Sequence, residues 1–214
     1  MNYAQLSQLI QDYCESTETS FVSNIPTFVQ LAEERIYNSV QIPAIRKNVT
    51  GTMTADFQYF SLPSDWLSTF SLAVIDPVTN EYEYLLNKDV NFIRASYPPP
   101  NTNKGKPQYY AIWDDASMIL GPTPDQAYTA ELHYYAYPAS IVNAGNSWLG
   151  DNYENVLLYG SLREAYTYLK GEADMMQYYE QKYQEAVQQL TRLGDGLNRQ
   201  DAYRSGQARV PVNT

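Results

Sequence analysis

Apolar side chains recur at spacings of three and four near both ends of the chain and at spacings of two in between. Toward the C-terminus, Leu158, Leu162, Ala165, Tyr166 and Leu169 fall on one face of a 3.6-residue helix. Met176, Tyr179, Tyr183, Val187, Leu190 and Leu193 form the stripe of a second. Asp151 followed by Glu154 has the form of a capping box. Gly171 after Lys170 suits a left-handed stop with a cation in the last turn, and Gly194 suits a second stop. The tight break predicts an antiparallel hairpin over Asp151 to Leu193, with helices about 30 Å long. Its core is expected to be Leu158, Leu162, Ala165, Leu169, Met176, Tyr183, Val187 and Leu190.

The N-terminal end repeats the theme. Tyr3, Leu6, Leu9, Ile10 and Tyr13 predict a short helix, and the polar run Glu15 to Ser20 a loop. Asn24-Ile25-Pro26 reads as a helix start, since Pro is tolerated in a first turn. Phe28, Leu31, Ala32, Arg35, Ile36 and Val40 continue that helix until Pro43 stops it.

In the middle the period shifts to two. Lys47 to Thr54 and Asp56 to Leu62 read as paired strands around a short turn. Leu67 to Ile75 and Tyr82 to Leu86 are further strands, and Lys88 to Ser96 one or two helical turns. Pro107 to Trp113 and Ser117 to Leu120 read as a hairpin across Asp114-Asp115. Tyr128 to Tyr137 is the strongest strand: Tyr128, Ala130, Leu132, Tyr134 and Ala136 share one face, Thr129, Glu131, His133, Tyr135 and Tyr137 the other. Pro138 to Gly150 reads as a loop. The expected fold class is α+β: helical hairpins forming a four-helix bundle-like core, an inserted antiparallel β unit, and an extended C-terminal arm. The expected divisions are an N-terminal helical hairpin over 1–46, a β-rich unit over 47–150, a C-terminal helical hairpin over 151–194 and the arm over 195–214.

Few large apolar groups lie in that arm, so it is not expected to order by itself; it reads either as a loose terminus or as an arm that orders on a partner. Over Leu197 to Thr214, Arg199, Arg204 and Arg209 stand against a single acid, Asp201.

Composition narrows the function. A net charge of −10 over 214 residues argues against a general nucleic-acid binder, which needs a basic surface to displace counterions. Tyr is over-used, with 21 against 6 Phe and 3 Trp, and Tyr is enriched at interfaces. Cys14 is the only cysteine, which leaves no intrachain disulfide. The opening MNYAQLSQLI lacks the features of a signal peptide, and no stretch has the length of a membrane span. The reading is a soluble product of a reducing cytoplasm.

No constellation for catalysis, metal or cofactor binding stands out. His133 is the only histidine and falls on the polar face of its strand. Asp114 and Asp115 fit a hairpin turn, where Asp bonds to local backbone. Gly194-Asp195-Gly196 lacks the Lys-Ser/Thr ending of a phosphate loop. Glu33-Glu34 and Glu15 with Glu18 read as solvated faces, and Met175-Met176 as core filling.

Two stretches carry a resemblance. They are GKPQYYAIWDDASMILGPTPDQAYTAELHYYAYPASI and SWLGDNYENVLLYGSLREAYTYLKGEADMMQYYEQKYQEAVQQL. The features are Gly105-x-Pro107-x-Tyr109-Tyr110, the Leu120-Gly121-Pro122-Thr123-Pro124 turn, Tyr134-Tyr135 before a Pro, Trp148-Leu149, Leu158-Tyr159-Gly160 and the closing Tyr-rich helix. With Leu62-Pro63-x-Asp65-Trp66, their order resembles the head-to-tail adaptors of tailed phages, especially short-tailed ones, over Leu62 to Leu190. The resemblance implies a virion structural protein at the head-tail interface, in a head-to-tail ring of roughly twelve copies. It implies a portal protein and a tail or nozzle protein as partners, no membrane, and DNA passing through the lumen without specific binding. By position alone it places the arm on the portal, through Arg199, Tyr203, Arg204, Arg209 and Val210-Pro211-Val212. The alternative is an aromatic-rich carbohydrate-binding or tail-tip module, suggested by Trp66, Trp113, Trp148 and the many Tyr. An enzyme is a third class, which the lack of any acid–base or metal cluster disfavours.

Overall fold

In the computed structural model the described residues are 1–40, 42–76, 79–98 and 104–198. In chain order the first elements are α1 (Tyr3–Cys14), α2 (Thr19–Ser39), a 3₁₀ turn (Pro43–Ile45), β1 (Arg46–Met53), β2 (Tyr59–Ser61), β3 (Ser68–Ile75), β4 (Tyr82–Tyr84), β5 (Leu86–Asn87) and α3 (Val90–Ser96). Then come β6 (Tyr109–Ile112), β7 (Ser117–Gly121), β8 (Tyr128–Tyr135), α4 (Ile141–Ala144), α5 (Trp148–Asn152), α6 (Glu154–Leu169) and α7 (Ala173–Asn198). The chain divides into two compact units, Arg46–Ala136 and the remainder on either side of it.

The helical unit is organised around α6. Val156, Leu157, Leu158, Gly160, Ser161, Leu162 and Ala165 are all buried. They cover more than one face of the helix, and a helix apolar on several sides is an interior helix. α1, α2, α5 and α7 each pack on it. They bring Leu6 and Ile10 from α1, Ile25, Val29 and Ile36 from α2, and Tyr179, Tyr183, Ala186 and Leu190 from α7. Gly160 allows the close crossing, because a Cβ there would stand 3.2 Å from Ala32 Cβ and 3.3 Å from the Tyr183 ring. Ser161 satisfies its hydroxyl by donating to the Leu157 carbonyl at 2.8 Å.

This corrects the expected fold class. The described residues show no four-helix bundle-like core in which two hairpins share one centre; α1, α2, α5 and α7 pack around α6. The β part is also larger than one inserted antiparallel unit. It forms two four-stranded sheets, in the orders β1-β8-β3-β4 and β2-β7-β6-β5. The second sheet is mixed, since β5 runs parallel to β6.

Several local expectations shift as well. Asp151 lies inside α5, whose cap is Ser147, with its hydroxyl accepting from Gly150 N–H at 3.1 Å. α6 starts at Glu154 without a side-chain cap. The loop expected over Pro138 to Gly150 contains α4 and the start of α5. α2 begins at Thr19, so Pro26 is interior; Phe21 and Ile25, both fully buried, supply the apolar contacts that carry the helix across the missing N–H. α7 runs through Gly194 to Asn198.

The turn between α6 and α7 shows a division of labour that the sequence does not. Lys170, not Gly171, takes the left-handed conformation, at φ 53°. Gly171 is needed for space, since a Cβ there would lie 2.6 Å from Tyr166 Cδ1. Gly171→Ala is expected to cost about 1–3 kcal/mol, as overpacking does. Urea unfolding of the full chain checks this, and an unchanged midpoint would show that Tyr166 moves aside freely.

In the β unit the two sheets enclose one core. Met53, Leu72, Val74, Tyr128, Ala130, Leu132 and Tyr134 face it from the first sheet, and Phe60, Tyr110, Met118 and Leu120 from the second. β8 alternates as expected, with its even-numbered residues buried and the odd ones outward. α3 covers the far side of the second sheet, where Ile93 packs with Ala111 and Ile119. The expected hairpin of β1 with β2 does not form. β1 pairs with β8, and β2 with β7. Between them runs an open groove of about 320 Å³, lined among others by Val49, Gly51, Tyr59, Phe60 and Leu62.

Candidate functional site

The groups with possible chemistry occupy structural roles. Among the described residues, no three His, Cys, Asp or Glu side chains come together as a metal site. His133 stands on the open face of the first sheet, 3.1 Å from Glu131 Oε1 and beside Asn48. Tyr82 donates its hydroxyl to the other Glu131 oxygen at 3.1 Å, and that carboxylate pushes the Tyr82 hydroxyl's pKa up. Asp114 Oδ1 accepts from Ala116 N–H at 2.9 Å and from the Ser117 hydroxyl at 2.8 Å. Those bonds hold its carboxyl below the usual range, as a turn aspartate.

Two of the three tryptophans are taken up by packing. Trp66 packs into the sheet core and donates to Thr69 Oγ1 at 3.2 Å. Trp148 stacks on Tyr153 in the helical unit, at 5.8 Å between centroids. Only Trp113 is exposed, and Arg94 lies over its ring at 4.6 Å. Tyr59 and Phe57 extend that aromatic row on the β unit, each 5.7 Å from its neighbour.

A second exposed aromatic surface lies where α1 ends, α6 ends and α7 begins. Tyr166 donates its hydroxyl to the Tyr13 carbonyl at 3.1 Å and packs on Tyr179 at 4.7 Å. Tyr178 adds a further ring at 5.5 Å from Tyr179. Tyr13, Tyr178 and Met175 remain 44%, 47% and 37% exposed. The neighbouring charges are mostly acidic: Asp12, Glu15, Glu18, Glu172 and Asp174 are exposed, with Lys170 the cation in the turn. Among the described residues, none of these five acids takes part in an ion pair.

Of the expected helical core residues, Leu158, Leu162, Ala165, Tyr183 and Leu190 are buried, and Leu169, Met176 and Val187 are half-buried. Arg199, Tyr203, Arg204, Arg209, Val210, Pro211 and Val212 lie outside the described residues. Sequence reasoning missed Glu33, read as solvated with Glu34. Glu34 is exposed, but Glu33 is 3% exposed and accepts from Ile141 N–H at 2.9 Å, at the start of α4. Its signal was its spacing: it stands four residues from both Val29 and Tyr37, on the buried stripe of α2. Gly160 carried a signal too, since a glycine inside a helical pattern often marks close packing.

No curated protein matches the chain significantly. The family described as SU10 adaptor protein matches residues 1–211, almost the full length. The chain therefore belongs to the SU10 adaptor protein family, a family of phage head-to-tail adaptors.

Proposed function

We propose that the chain is a subunit of the ring that joins the portal to the tail of a phage virion and forms part of its DNA conduit. The observation that carries this reading is the family match over residues 1–211. The family is structural and not an enzyme class, and it implies a virion component. No helix among the described residues is long and apolar enough to cross a membrane. Portal protein lies on one side of the ring and a tail or nozzle protein on the other. Roughly twelve copies close the ring through head-to-tail contacts, which use two different surfaces of each copy. The exposed aromatic surfaces of the helical and β units are suited to such contacts, because Tyr and Trp bury large area at little entropic cost. The net charge of −10 supports a conduit role: a lumen of like charge repels phosphate, so DNA slides through it.

Mixing the purified protein with portal-bearing heads and imaging by electron microscopy tests the proposal. The expected result is a ring seated on the portal with an axial channel. Heads left bare, with specific binding on a glycan array, would replace this reading with the carbohydrate-binding one.

A further inference from the structure

We infer that the C-terminal segment 199–214 of one copy docks on the tyrosine-rich, acidic end of the helical unit of the next copy. This rests on the ring reading, which needs a contact between unlike surfaces of identical chains. The site is the exposed surface around Tyr13, Met175 and Tyr178. The occupant is RQDAYRSGQARVPVNT.

Charge complementarity selects the pair. Three Arg and one Asp give the segment +2, which leaves −12 on the rest of a chain whose total is −10. The acids beside the tyrosines, Glu172 just before α7, Asp174 in its first turn, Asp12 in the last turn of α1 and Glu15 just after it, are exposed and have no cationic partner among the described residues. Arginine suits that surface twice over. Its guanidinium forms forked bonds to carboxylates, and its flat face stacks on tyrosine rings. Tyr203 supplies one more ring to a surface already made of rings.

Geometry favours a contact between copies. The acidic end lies at the start of α7, and segment 199–214 follows the other end of the same 26-residue helix. At 1.5 Å per residue, the 24 steps from Asp174 to Asn198 span about 36 Å. Arg199 and Arg204 sit one and six residues beyond Asn198, so an extended chain carries them at most about 20 Å. Arg199 and Arg204 therefore fall short of their own Glu172 and Asp174, whereas a second copy can present all three arginines to that end. A contact between opposite ends of one helix in successive copies is heterologous, the kind that builds rings. Each exposed charge pair contributes little, and ordering the segment opposes binding. The contact is therefore weak between free copies and becomes effective when assembly raises the local concentration.

The test uses a fluorescent peptide of residues 199–214 titrated with the full-length protein and read by anisotropy. Binding is expected at low salt and should weaken as salt rises. The double variant Glu172→Lys with Asp174→Lys should weaken it about tenfold or more, equivalent to about 1.4 kcal/mol. The milder pair Glu172→Gln with Asp174→Asn, which disturbs the helix start less, should weaken it partly. Tyr178→Ala should weaken it too, and Asp115→Lys on the β unit should not, with circular dichroism confirming that each variant is folded. Absence of binding, or equal binding to the folded double variant, overturns the inference. If the peptide binds portal-bearing heads but not the protein, the segment belongs to the portal and the ring reading survives. If heads carry no ring either, both readings fall.

Discussion

Leu162→Ala is expected to lower the stability of the full chain by about 2–5 kcal/mol. The residue is fully buried in α6, the helix on which α1, α2, α5 and α7 all pack. Truncation removes the transfer free energy of the lost methyl and methylene groups. It also leaves a cavity that neighbours on several sides cannot close together. A site walled on one side collapses more easily, so the cost here belongs toward the upper part of that range. Leu169, half-buried near the end of the same helix, is the internal comparison, and Leu169→Ala should cost distinctly less. Urea unfolding followed by circular dichroism measures both. A loss under about 0.5 kcal/mol for Leu162→Ala would place the residue at the surface and remove α6 from the centre of the unit.

The elements with a clean local period were legible in the sequence. β8 alternates between an apolar and a polar face over its whole length, and the structure buries the face that the alternation selects. The closing helices were legible for the same reason, although their ends were not. Capping depends on which nearby side chain reaches the free N–H groups, and here Ser147 starts α5 ahead of Asp151. The centrality of α6 was half-visible: Val156 and Leu157 fall off the single stripe that was read, and such extra apolar positions are what a helix covered from several sides requires. The pairing of β1 was not legible at all. A short turn suggested β2 as its partner, but its partner β8 lies about eighty residues further on, with Arg46 opposite Tyr135 and Met53 opposite Tyr128. Such a choice is settled by which sheet buries Met53 and Leu132 together, a non-local quantity that no local window contains. The exposed aromatic surfaces were legible only as an excess of tyrosine. Their positions depend on which rings remain uncovered once the helices and sheets have packed.

Glu33→Ala is expected to lower stability by about 1–3 kcal/mol, because it leaves the buried Ile141 N–H without its acceptor. Glu33→Gln keeps an oxygen of the same reach and separates that bond from the charge. Burial pushes the Glu33 carboxyl above its ordinary value, opposed in part by hydrogen bonds from Ile141 N–H and the Ser140 side chain. The folded protein thus holds this proton more tightly than the unfolded chain does. The resulting stabilisation is fully present below the ordinary glutamate value of 4.5 and is lost as pH rises through the higher value of the folded state. The wild type should therefore lose stability relative to Glu33→Gln as pH rises across that window, and the difference should level off above it. Urea unfolding of both proteins from about pH 4 to pH 8 reads this directly, since groups other than Glu33 titrate alike in the two chains. A difference that stays constant with pH would mean that Glu33 is solvated as the sequence suggested. A wild type that gains on the variant with rising pH would mean that the hydrogen bonds at the start of α4 outweigh burial, and that the residue acts there as a charged cap.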